Sequence, residues 1–404
     1  MRSIVAALLL LAAAGAPPRD DFQADFDDAV AQVAKEYAYF DAKATRWYDV
    51  KTLYAADLKA VHDKREFIGL LERVVDELYD PHAQLTVNTA HSMRLVPSGA
   101  DLWATWRDRE AVITEVRAGS DAERAGVQPR MVVVTVNGVA IADAVDAQLG
   151  RSYPHSTAAA RDWALRAVLA GRHNERRALR FRDGTTVVLP ARDQTFTSGA
   201  APLTFSELRG GVGLIRFNDS LGDVATIAAF DRALHALRNT RALIVDLRDT
   251  PSGGNTTVAR GVLGRFVKRD APYQKHVLPA EERETGIRRS WLELVSPRGP
   301  FAYERPVAVL VDHWTGSMGE GLAIGFDAVG RGTVIGTPMA ALLGATHHVT
   351  LPRTGIGINI PAERLYHVDG TPRESFLPRV AVDVGATMGG DDPFILAALK
   401  TLND

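Results

Sequence analysis

Apolar residues recur every three or four positions along the part of the chain that follows residue 20. One such set lies on a single side of a helix of about 3.6 residues per turn: Phe22, Phe26, Val30 and Val33. A second helix is predicted over Lys64–Leu78, and it ends before Pro81, which disfavours a helical conformation at Asp80. The residues after the proline, Ala83–Val87, are predicted to form a strand. Residues 20–90 are therefore predicted to be an N-terminal helical domain that caps the rest of the chain.

Residues 91–200 show a different pattern, in which short β-type runs alternate with turn signals. The runs contain many β-branched residues: Ala111–Val116, Val132–Val136 and Thr185–Leu189. The turn signals are dipeptides that contain glycine: Gly119-Ser120, Asn137-Gly138 and Asp183-Gly184. This part of the chain is predicted to be a small β-rich domain.

Residues 201–404 alternate strongly apolar strands with helices. The predicted strands are Val212–Phe217, Ala242–Leu247, Val307–Val311 and Val334–Gly336, and the predicted helices are Ile227–Leu237, Asn255–Val267 and Gly319–Ala328. Strands that are apolar along their whole length, each followed by a helix, favour a mostly parallel sheet with helices on both faces. Sheets of this kind bind ligands at the carboxyl ends of their strands, so the strand-to-helix turns are the places to search for chemistry.

Composition excludes some classes of function. The chain has 404 residues, 46% of them hydrophobic and 24% charged, which is ordinary for a globular protein of two or three domains. Its net charge is −2 and no run of five basic residues occurs, so a nucleic-acid partner is not expected. Cysteine is absent, and neither an HExxH motif nor a phosphate loop occurs. We therefore expect neither a metal nor an organic cofactor.

The first sixteen residues have the pattern of a secretory signal peptide. Arg2 precedes an apolar run over Ile4–Ala14, and small residues follow. That run is shorter than the roughly 20 residues that a membrane-spanning helix needs, so no stable membrane span is expected. We expect this segment to be cleaved, after Ala14 rather than after Ala16, because a cut after Ala16 would leave Pro17 next to the scissile bond, and we expect the protein to be periplasmic or secreted. The alternative is an N-terminal anchor that is retained.

The turn after the strand Ala242–Leu247 carries two adjacent glycines, Gly253 and Gly254. Their small size allows close backbone approach and leaves amide N–H groups free to face an anion. Three interpretations remain open: an oxyanion-binding loop, a phosphate-binding loop and an ordinary tight turn. The spacing GxxxxGK[ST] is not met, which disfavours the phosphate loop.

Ser317 follows the strand Val307–Val311 and stands where the next helix begins. The positive end of the helix dipole favours negative charge beside its hydroxyl, as a nucleophile requires. The same position also suits a helix N-cap, with Glu320 three residues later completing a capping box. A nucleophilic serine needs a base, and His82 is the most definitely placed of eleven histidines because it follows the rigid Pro81. A lone histidine is more often structural, so this assignment stays open here.

Five segments, in this order along the chain, resemble motifs of the C-terminal processing (tail-specific) serine peptidase family, and especially its tricorn-like branch. DPHAQL is similar to a D-x-H-x motif, and VRAGSDAERAGVQPRMVVVTVNG is similar to the core of a PDZ domain. ALIVDLRDTPSGGNT resembles the family's strand and glycine loop, LVDHWTGSMGEGLA its T-x-S-x-x-E nucleophile segment, and VDGTPRESFLPRVAVD its glutamate segment. The resemblance implies an α/β and α+β multidomain fold with an N-terminal helical cap, a PDZ-like domain over residues 91–200, and a catalytic core over residues 201–404 with a mostly parallel, ClpP/crotonase-like sheet.

The resemblance also implies a site. Ser317 would be the nucleophile, His82 the general base, and Glu374 the carboxylate that orients the imidazole. Two kinds of support are implied around them: backbone N–H groups of Met318 and of Gly253 or Gly254 that hold the oxyanion, and the acidic Glu320 one turn after the serine. Another branch of the family uses a lysine base 25 residues after the serine, but Leu342 occupies that position here.

Three classes of function follow from these observations. The first is a serine endopeptidase that acts on polypeptides with a Ser-His-Glu site. The second is a catalytically inactive protein that binds a peptide or another ligand on the same fold. The third, a structural PDZ adaptor, does not account for the approximately two hundred residues of the α/β core.

Overall fold

The structure is a computed structural model that describes residues 19–153, 157–191, 201–385 and 392–403. The predicted signal segment 1–16 lies outside these residues. Within the described ranges, no helix combines the length and apolar character that crossing a membrane requires.

Three helices form the N-terminal part of the chain: α1 (Arg19–Glu36), α2 (Val50–Lys59) and α3 (Lys64–Asp76). α3 starts after Asp63, whose carboxylate accepts a hydrogen bond from the N–H of Glu66 at 2.8 Å and caps the helix. The helix ends two residues before the predicted Leu78, and strand β1 covers Gln84–Leu85 rather than the predicted 83–87. The apolar faces of the three helices form one buried cluster.

The part predicted to be PDZ-like, called the PDZ-like part below, contains an antiparallel sheet and three helices within its described residues. Its strands are β2 (Leu102–Arg107), β3 (Glu110–Val116), β4 (Val132–Val136), β5 (Val139–Ala140), β6 (Arg177–Phe181) and β7 (Thr186–Leu189). Its helices are α4 (Asp121–Arg124), α5 (Ile141–Gln148) and α6 (Ala158–Ala170). The strand order is β2-β3-β4-β6-β7, and β5 pairs with β4. The predicted turn Asn137-Gly138 joins β4 and β5, and both residues have positive φ (50° and 81°), as a two-residue hairpin turn requires.

The core contains the predicted, mostly parallel sheet. Its six strands are β8 (Leu203–Leu208), β9 (Val212–Phe217), β10 (Ala242–Asp246), β13 (Val307–Val311), β14 (Thr333–Gly336) and β17 (Val380–Ala381). Their order is β17-β14-β13-β10-β9-β8, and β8 alone among them pairs in the antiparallel sense. The helices on one face are α7 (Ala225–Ala236), α8 (Thr256–Leu263) and α10 (Met318–Ala328), and α11 (Pro393–Thr401) covers the other. The prediction of a sheet covered on both faces is confirmed.

A second sheet in the core was not predicted. Its strands are β11 (Ala271–Leu278), β12 (Arg289–Val295), β15 (Ala345–Thr350) and β16 (Gly357–Tyr366), and α9 (Pro279–Thr285) joins the first two. β1 of the N-terminal part adds to this sheet, because Gln84 pairs with Asn359 and Leu85 with Ile358. This pairing places the residues just before β1 beside the core.

The PDZ-like part packs directly on both loops that the sequence singles out. The indole Nε1 of Trp314, three residues before Ser317, donates to the carbonyl of Ala100 at 2.8 Å. Arg117 forms an ion pair with Asp249, in the loop that leads to Gly253, at 2.8 Å. Trp314 also shares a buried apolar cluster with Trp103 of β2.

A buried ion pair inside the PDZ-like part generates a stability prediction. Arg177 and Asp101 lie 2.9 Å apart, and each side chain is 1% exposed. Asp101→Ala leaves a buried guanidinium without this carboxylate, so the free energy of unfolding in urea should fall by about 3–5 kcal/mol. Glu110→Ala, which removes an ion pair with the exposed Arg182, should cost at most about 1 kcal/mol. Equal losses in the two variants would contradict this interpretation.

Candidate active site

The loops that follow β10 and β13 lie side by side at the carboxyl edge of the parallel sheet. Thr250 and Thr315 form a parallel bridge, and the N–H of Gly316 donates to the carbonyl of Thr250 at 3.2 Å. The glycine loop and the nucleophile loop, about 65 residues apart in sequence, are thereby held in contact. This is the arrangement expected for parallel neighbours, whose strand ends meet at one edge.

Ser317 is half-buried at the start of α10, and its backbone has φ 50° and ψ −111°. A residue with a side chain seldom adopts positive φ, and the strain costs on the order of 1–3 kcal/mol. The N–H of Ser317 donates to a carboxylate oxygen of Glu320 at 2.8 Å, which is one half of a capping box. The strained turn projects the serine out of the regular helix and towards the glycine loop.

Gly253 faces Ser317 so closely that no other residue fits. A Cβ atom at Gly253 would lie 2.4 Å from Cβ of Ser317, 2.9 Å from its Oγ and 2.9 Å from the amide nitrogen of Met318. The glycine also has φ 67°, where a side chain would add strain. Its absent side chain therefore leaves the space above the serine hydroxyl and the Met318 amide open.

The three amides predicted to hold an oxyanion differ in whether their N–H group already donates a hydrogen bond. The N–H of Gly253 donates to the carbonyl of Thr250 at 3.1 Å and closes a turn. In the described part of the chain, no hydrogen bond occupies the N–H of Met318 or of Gly254. Of the two glycines that the sequence left open, Gly254 is thus the one with an unused donor. A Cβ atom at Gly254 would lie 2.1 Å from the carbonyl oxygen of Leu221 and 2.6 Å from the amide nitrogen of Gly222, so only glycine allows this close approach of the two backbones.

His82 is buried, with 8% of its surface exposed, between α3 and β1. Its N–H donates to Oδ1 of Asp80 at 3.0 Å, and Oδ2 of Asp80 accepts from the hydroxyl of Tyr37 at 2.8 Å. The ring Nδ1 lies 2.8 Å from the carbonyl oxygen of Leu343. Because a carbonyl can only accept, Nδ1 carries the proton and Nε2 presents a lone pair. Burial, together with the charge of Arg373, lowers the pKa of His82 and favours the neutral imidazole.

Residues 340–344 connect His82 with the nucleophile loop. The N–H of Ala340 donates to the carbonyl of Thr315 at 3.1 Å, and Leu342 packs against Gly316, with its Cδ1 3.2 Å from where a Cβ of Gly316 would lie. The next residue, Leu343, supplies the carbonyl that holds the imidazole. Among the described residues no hydrogen bond joins His82 to Ser317, and this segment is the one that contacts both the imidazole and the loop before Ser317.

Glu374 stands in a 3-10 turn over Arg373–Ser375, and the structure differs here from the sequence-based expectation. The carboxylate was expected to orient the imidazole, but the Leu343 carbonyl occupies the position beside Nδ1. Glu374 Oε2 is buried and has no hydrogen-bond partner within the described ranges. Burial raises the pKa of this carboxyl, and the charge of Asp80 raises it further, whereas Arg373 and Arg364 lower it. The glutamate belongs to the same buried group of charges without touching the ring through a hydrogen bond.

Glu320 is fully buried beneath the serine. Burial raises its pKa to about 7, and the negative charge of Glu374 adds to this rise. Arg373, whose Nη2 lies 3.7 Å from Glu320 Oε2, and the amides of Ser317 and Ala341 act in the opposite direction. The carboxyl thus supports the backbone of Ser317 from within the protein interior.

Sequence reasoning missed two groups that hold this site together. The first is the main-chain carbonyl of Leu343, which binds His82, and the second is Arg373, which contacts the same segment. No sequence signal identifies the first, because a backbone carbonyl is present at every residue. Arg373 stands next to Glu374 in the quoted motif, but its role depends on contacts with residues about thirty positions away. Within the described ranges, no group of three histidine, aspartate or glutamate side chains is arranged to hold a metal.

The pKa of Glu320 generates a prediction about stability. The unfolded chain releases this proton near pH 4.5, whereas the folded chain keeps it until about pH 7. The stabilisation present below pH 4.5 should therefore be lost as the pH rises through 7, by about 3 kcal/mol in all. Glu320→Gln should abolish this loss, so the difference in free energy of unfolding between wild type and variant should fall with pH. Glu304→Gln, at an exposed carboxylate paired with Lys268, is the control. A difference that stays constant from pH 4.5 to 8 would contradict the assignment.

Two family models match this chain. Peptidase family S41 matches residues 211–383, which include both loops of the candidate site and Glu374. The tricorn protease C1 domain matches residues 18–76, which contain α1 to α3.

Solved structures of similar fold cover nearly the whole chain. A photosystem II D1 C-terminal processing protease is 20% identical, with a TM-score of 0.57 over 95% of this chain and 97% of that one. Mature CPAF is 15% identical, with a TM-score of 0.60 over 95% and 96% of the two chains. A lipoprotein from Streptococcus agalactiae is 11% identical, with a TM-score of 0.50 over 99% of both chains. These likenesses confirm the multidomain α/β fold. The two matched models carry the assignment: the chain contains a peptidase family S41 domain over residues 211–383 and a tricorn protease C1 domain over residues 18–76, and it is a serine-type peptidase.

Proposed function

We propose that this chain is an exported endopeptidase that cleaves polypeptides, with Ser317 as nucleophile and His82 as general base. The observation that carries the proposal is the tautomer of His82. Its Nδ1 is committed to the Leu343 carbonyl, so the basic Nε2 remains for the serine hydroxyl. The lowered pKa of this imidazole supports the proposal, because a base must be unprotonated at working pH.

The proposed reaction follows from these positions. Ser317 Oγ attacks the carbonyl carbon of the scissile peptide bond and transfers its proton to His82 Nε2. The N–H groups of Met318 and Gly254 receive the oxyanion of the tetrahedral intermediate. Collapse of the intermediate breaks the carbon–nitrogen bond, and the imidazolium returns the proton to the leaving amine. Water then hydrolyses the acyl-enzyme with the same base, which regenerates Ser317.

The other candidate bases are less well placed than His82 to activate Ser317. His313 also lies near the nucleophile loop, but its Nδ1 contacts Glu115 of β3 and its ring stacks on Trp103 at 4.7 Å. Leu342, which replaces the lysine of the other branch, is buried in the apolar cluster around Trp314. Glu374 is proposed to tune the charge around His82 rather than to hold the ring.

Export is proposed from the pattern of residues 1–16, and the periplasm or the extracellular space is the proposed location. We expect the protein recovered after expression of the full chain in a Gram-negative host to lie outside the cytoplasm. N-terminal sequencing should show that it begins after the signal segment. An intact N-terminus on protein that stays in the cytoplasm would refute export, and replacement of Leu8 and Leu9 by Arg is the negative control.

The catalytic assignment predicts a pattern of losses. Ser317→Ala and His82→Ala should each lower kcat by about 10⁴-fold to 10⁶-fold, because members of one catalytic unit act together. Ser317→Ala should also abolish labelling by a fluorophosphonate probe, and Glu374→Gln should cost less than either change. The value of kcat/KM should rise with pH, with an inflection below the ordinary histidine value of about 6.5, because the pKa of His82 is lowered.

Two lysines of the core serve as controls for this pattern. Lys268 pairs with Glu304, and Lys275 lies over the ring of Tyr366, so their replacement by Ala should leave the rate near that of wild type. Full activity in His82→Ala would show that another group activates Ser317. A folded wild-type protein that neither cleaves casein nor reacts with the probe would favour the inactive binding protein instead.

A further inference from the structure

Arg373 is the most deeply buried cation next to the candidate site, with 1% of its side chain exposed. Its Nη2 donates to the carbonyl of Leu342 at 2.8 Å and to the carbonyl of Gly344 at 2.7 Å. These two carbonyls flank that of Leu343, which accepts the proton of His82 Nδ1 at 2.8 Å. One guanidinium therefore contacts both neighbours of the peptide group that binds the imidazole.

This contact fixes the direction of the Leu343 carbonyl. With the carbonyls of 342 and 344 turned towards Arg373, the one between them is turned towards His82. If residues 342–344 rotated, the imidazole would lose the acceptor that keeps the proton on Nδ1, and the tautomer with the proton on Nε2 would become populated. That tautomer has no lone pair at Nε2 and cannot accept the proton of the serine there.

The same guanidinium is also linked to Ser317, through Glu320. Arg373 Nη2 lies 3.7 Å from Oε2 of Glu320, and that oxygen accepts the N–H of Ser317 at 2.8 Å. Glu320 is fully buried, so the cation offsets part of the cost of its charge. Arg373 is thus joined to the base through one main-chain segment and to the serine through one carboxylate.

We propose that Arg373 is a positioning residue of this peptidase: by holding Leu342 and Gly344 it sets the tautomer of His82, and by holding Glu320 it anchors the backbone of Ser317. The inference rests on the proposed roles of Ser317 and His82. Arg373 itself touches no reacting atom, because both of its links run through groups that lie between it and the site.

The charge of Arg373 has a second measurable effect, on the pH dependence of kcat/KM. Arg373 and Asp80 are the charged groups that act most directly on His82, with Asp80 held by Tyr37. Around them lie further titratable groups that act on Asp80, Glu374 or Glu320. These are Tyr39, Lys43, Arg364, Glu320 and Glu374. The charge of Arg373 lowers the pKa of His82, so a neutral residue at 373 should move the acid limb of the kcat/KM profile to higher pH.

Two variants separate position from charge. Arg373→Lys keeps the charge, but its shorter side chain ends in a compact ammonium group that does not reproduce the position of Nη2 between the two carbonyls, so kcat should fall about 10-fold to 100-fold, with KM within about twofold and the acid limb unmoved. Arg373→Gln should lower kcat at least as much and also raise the pH of the acid limb. Arg331→Lys is the matched control, because Arg331 Nη2 likewise donates to two carbonyls, those of Tyr303 at 2.9 Å and Arg305 at 3.2 Å. It should leave kcat and the pH profile at wild-type values.

A spectroscopic measurement decides the inference without relying on activity. In ¹⁵N-histidine spectra at pH 7.5, the wild-type His82 should show a protonated Nδ1, and Arg373→Lys should show a mixture of the two tautomers.

If Arg373→Gln fails to fold, the double variant Glu320→Gln/Arg373→Gln removes both buried charges together and takes its place. An unchanged tautomer and an unchanged kcat in folded Arg373→Lys would overturn the inference while probe labelling of Ser317 leaves the proposed function intact. A wild type whose Ser317 is not labelled would overturn the proposed function instead, and the tautomer spectra would still decide the role of Arg373.

Discussion

The pairing of β1 with β16 is the contact on which the candidate site depends. It consists of two residue pairs, Gln84 with Asn359 and Leu85 with Ile358. So short a ladder is weak by itself, but Ile356, Ile358 and Ile360 are buried among the apolar residues of α1 to α3. The hydrophobic core of the N-terminal helices is thereby completed by strands of the catalytic core. His82 lies just before β1, next to this shared core, so the helical part of the chain contributes the proposed base to the candidate site.

Local sequence signals were sufficient for the parallel sheet and for one half of the site. Each of β9, β10, β13 and β14 is a continuous apolar run, and the loops after β10 and β13 must meet because parallel neighbours end at the same edge. That reasoning pointed to both loops as places to search, the family resemblance joined them in one site, and the structure brings Gly253 against Ser317. Helix bounds differed by a few residues where a capping residue, such as Gly264 after α8, ended the helix early.

The other half of the site depends on contacts that no local pattern encodes. The second sheet pairs β11 with β16, strands that lie about ninety residues apart. Its edge strand β12 has exposed apolar residues and lacks the simple alternation of buried and exposed positions that would identify a strand. The hydrogen bond from His82 to Leu343 involves a main-chain atom, which any residue would provide. The family resemblance indicated His82 and Glu374 as members of one site, but it did not reveal that a main-chain carbonyl binds the ring nitrogen expected to face the carboxylate. The contacts of Trp314 and Asp249 with the PDZ-like part are also long-range, and they make that part a neighbour of both loops.

The backbone conformation of Ser317 has an evolutionary consequence. At φ 50° and ψ −111° a glycine experiences little of the strain that a serine does, so Ser317 is held in place against its own conformational preference. A change from serine to glycine would therefore relieve strain and at the same time remove the hydroxyl proposed as the nucleophile. At this position one substitution both abolishes the hydroxyl chemistry and increases the stability of the fold. A lineage released from selection for cleavage would have an easy route to a durable, unreactive scaffold, whose cleft could then be put to use in holding ligands.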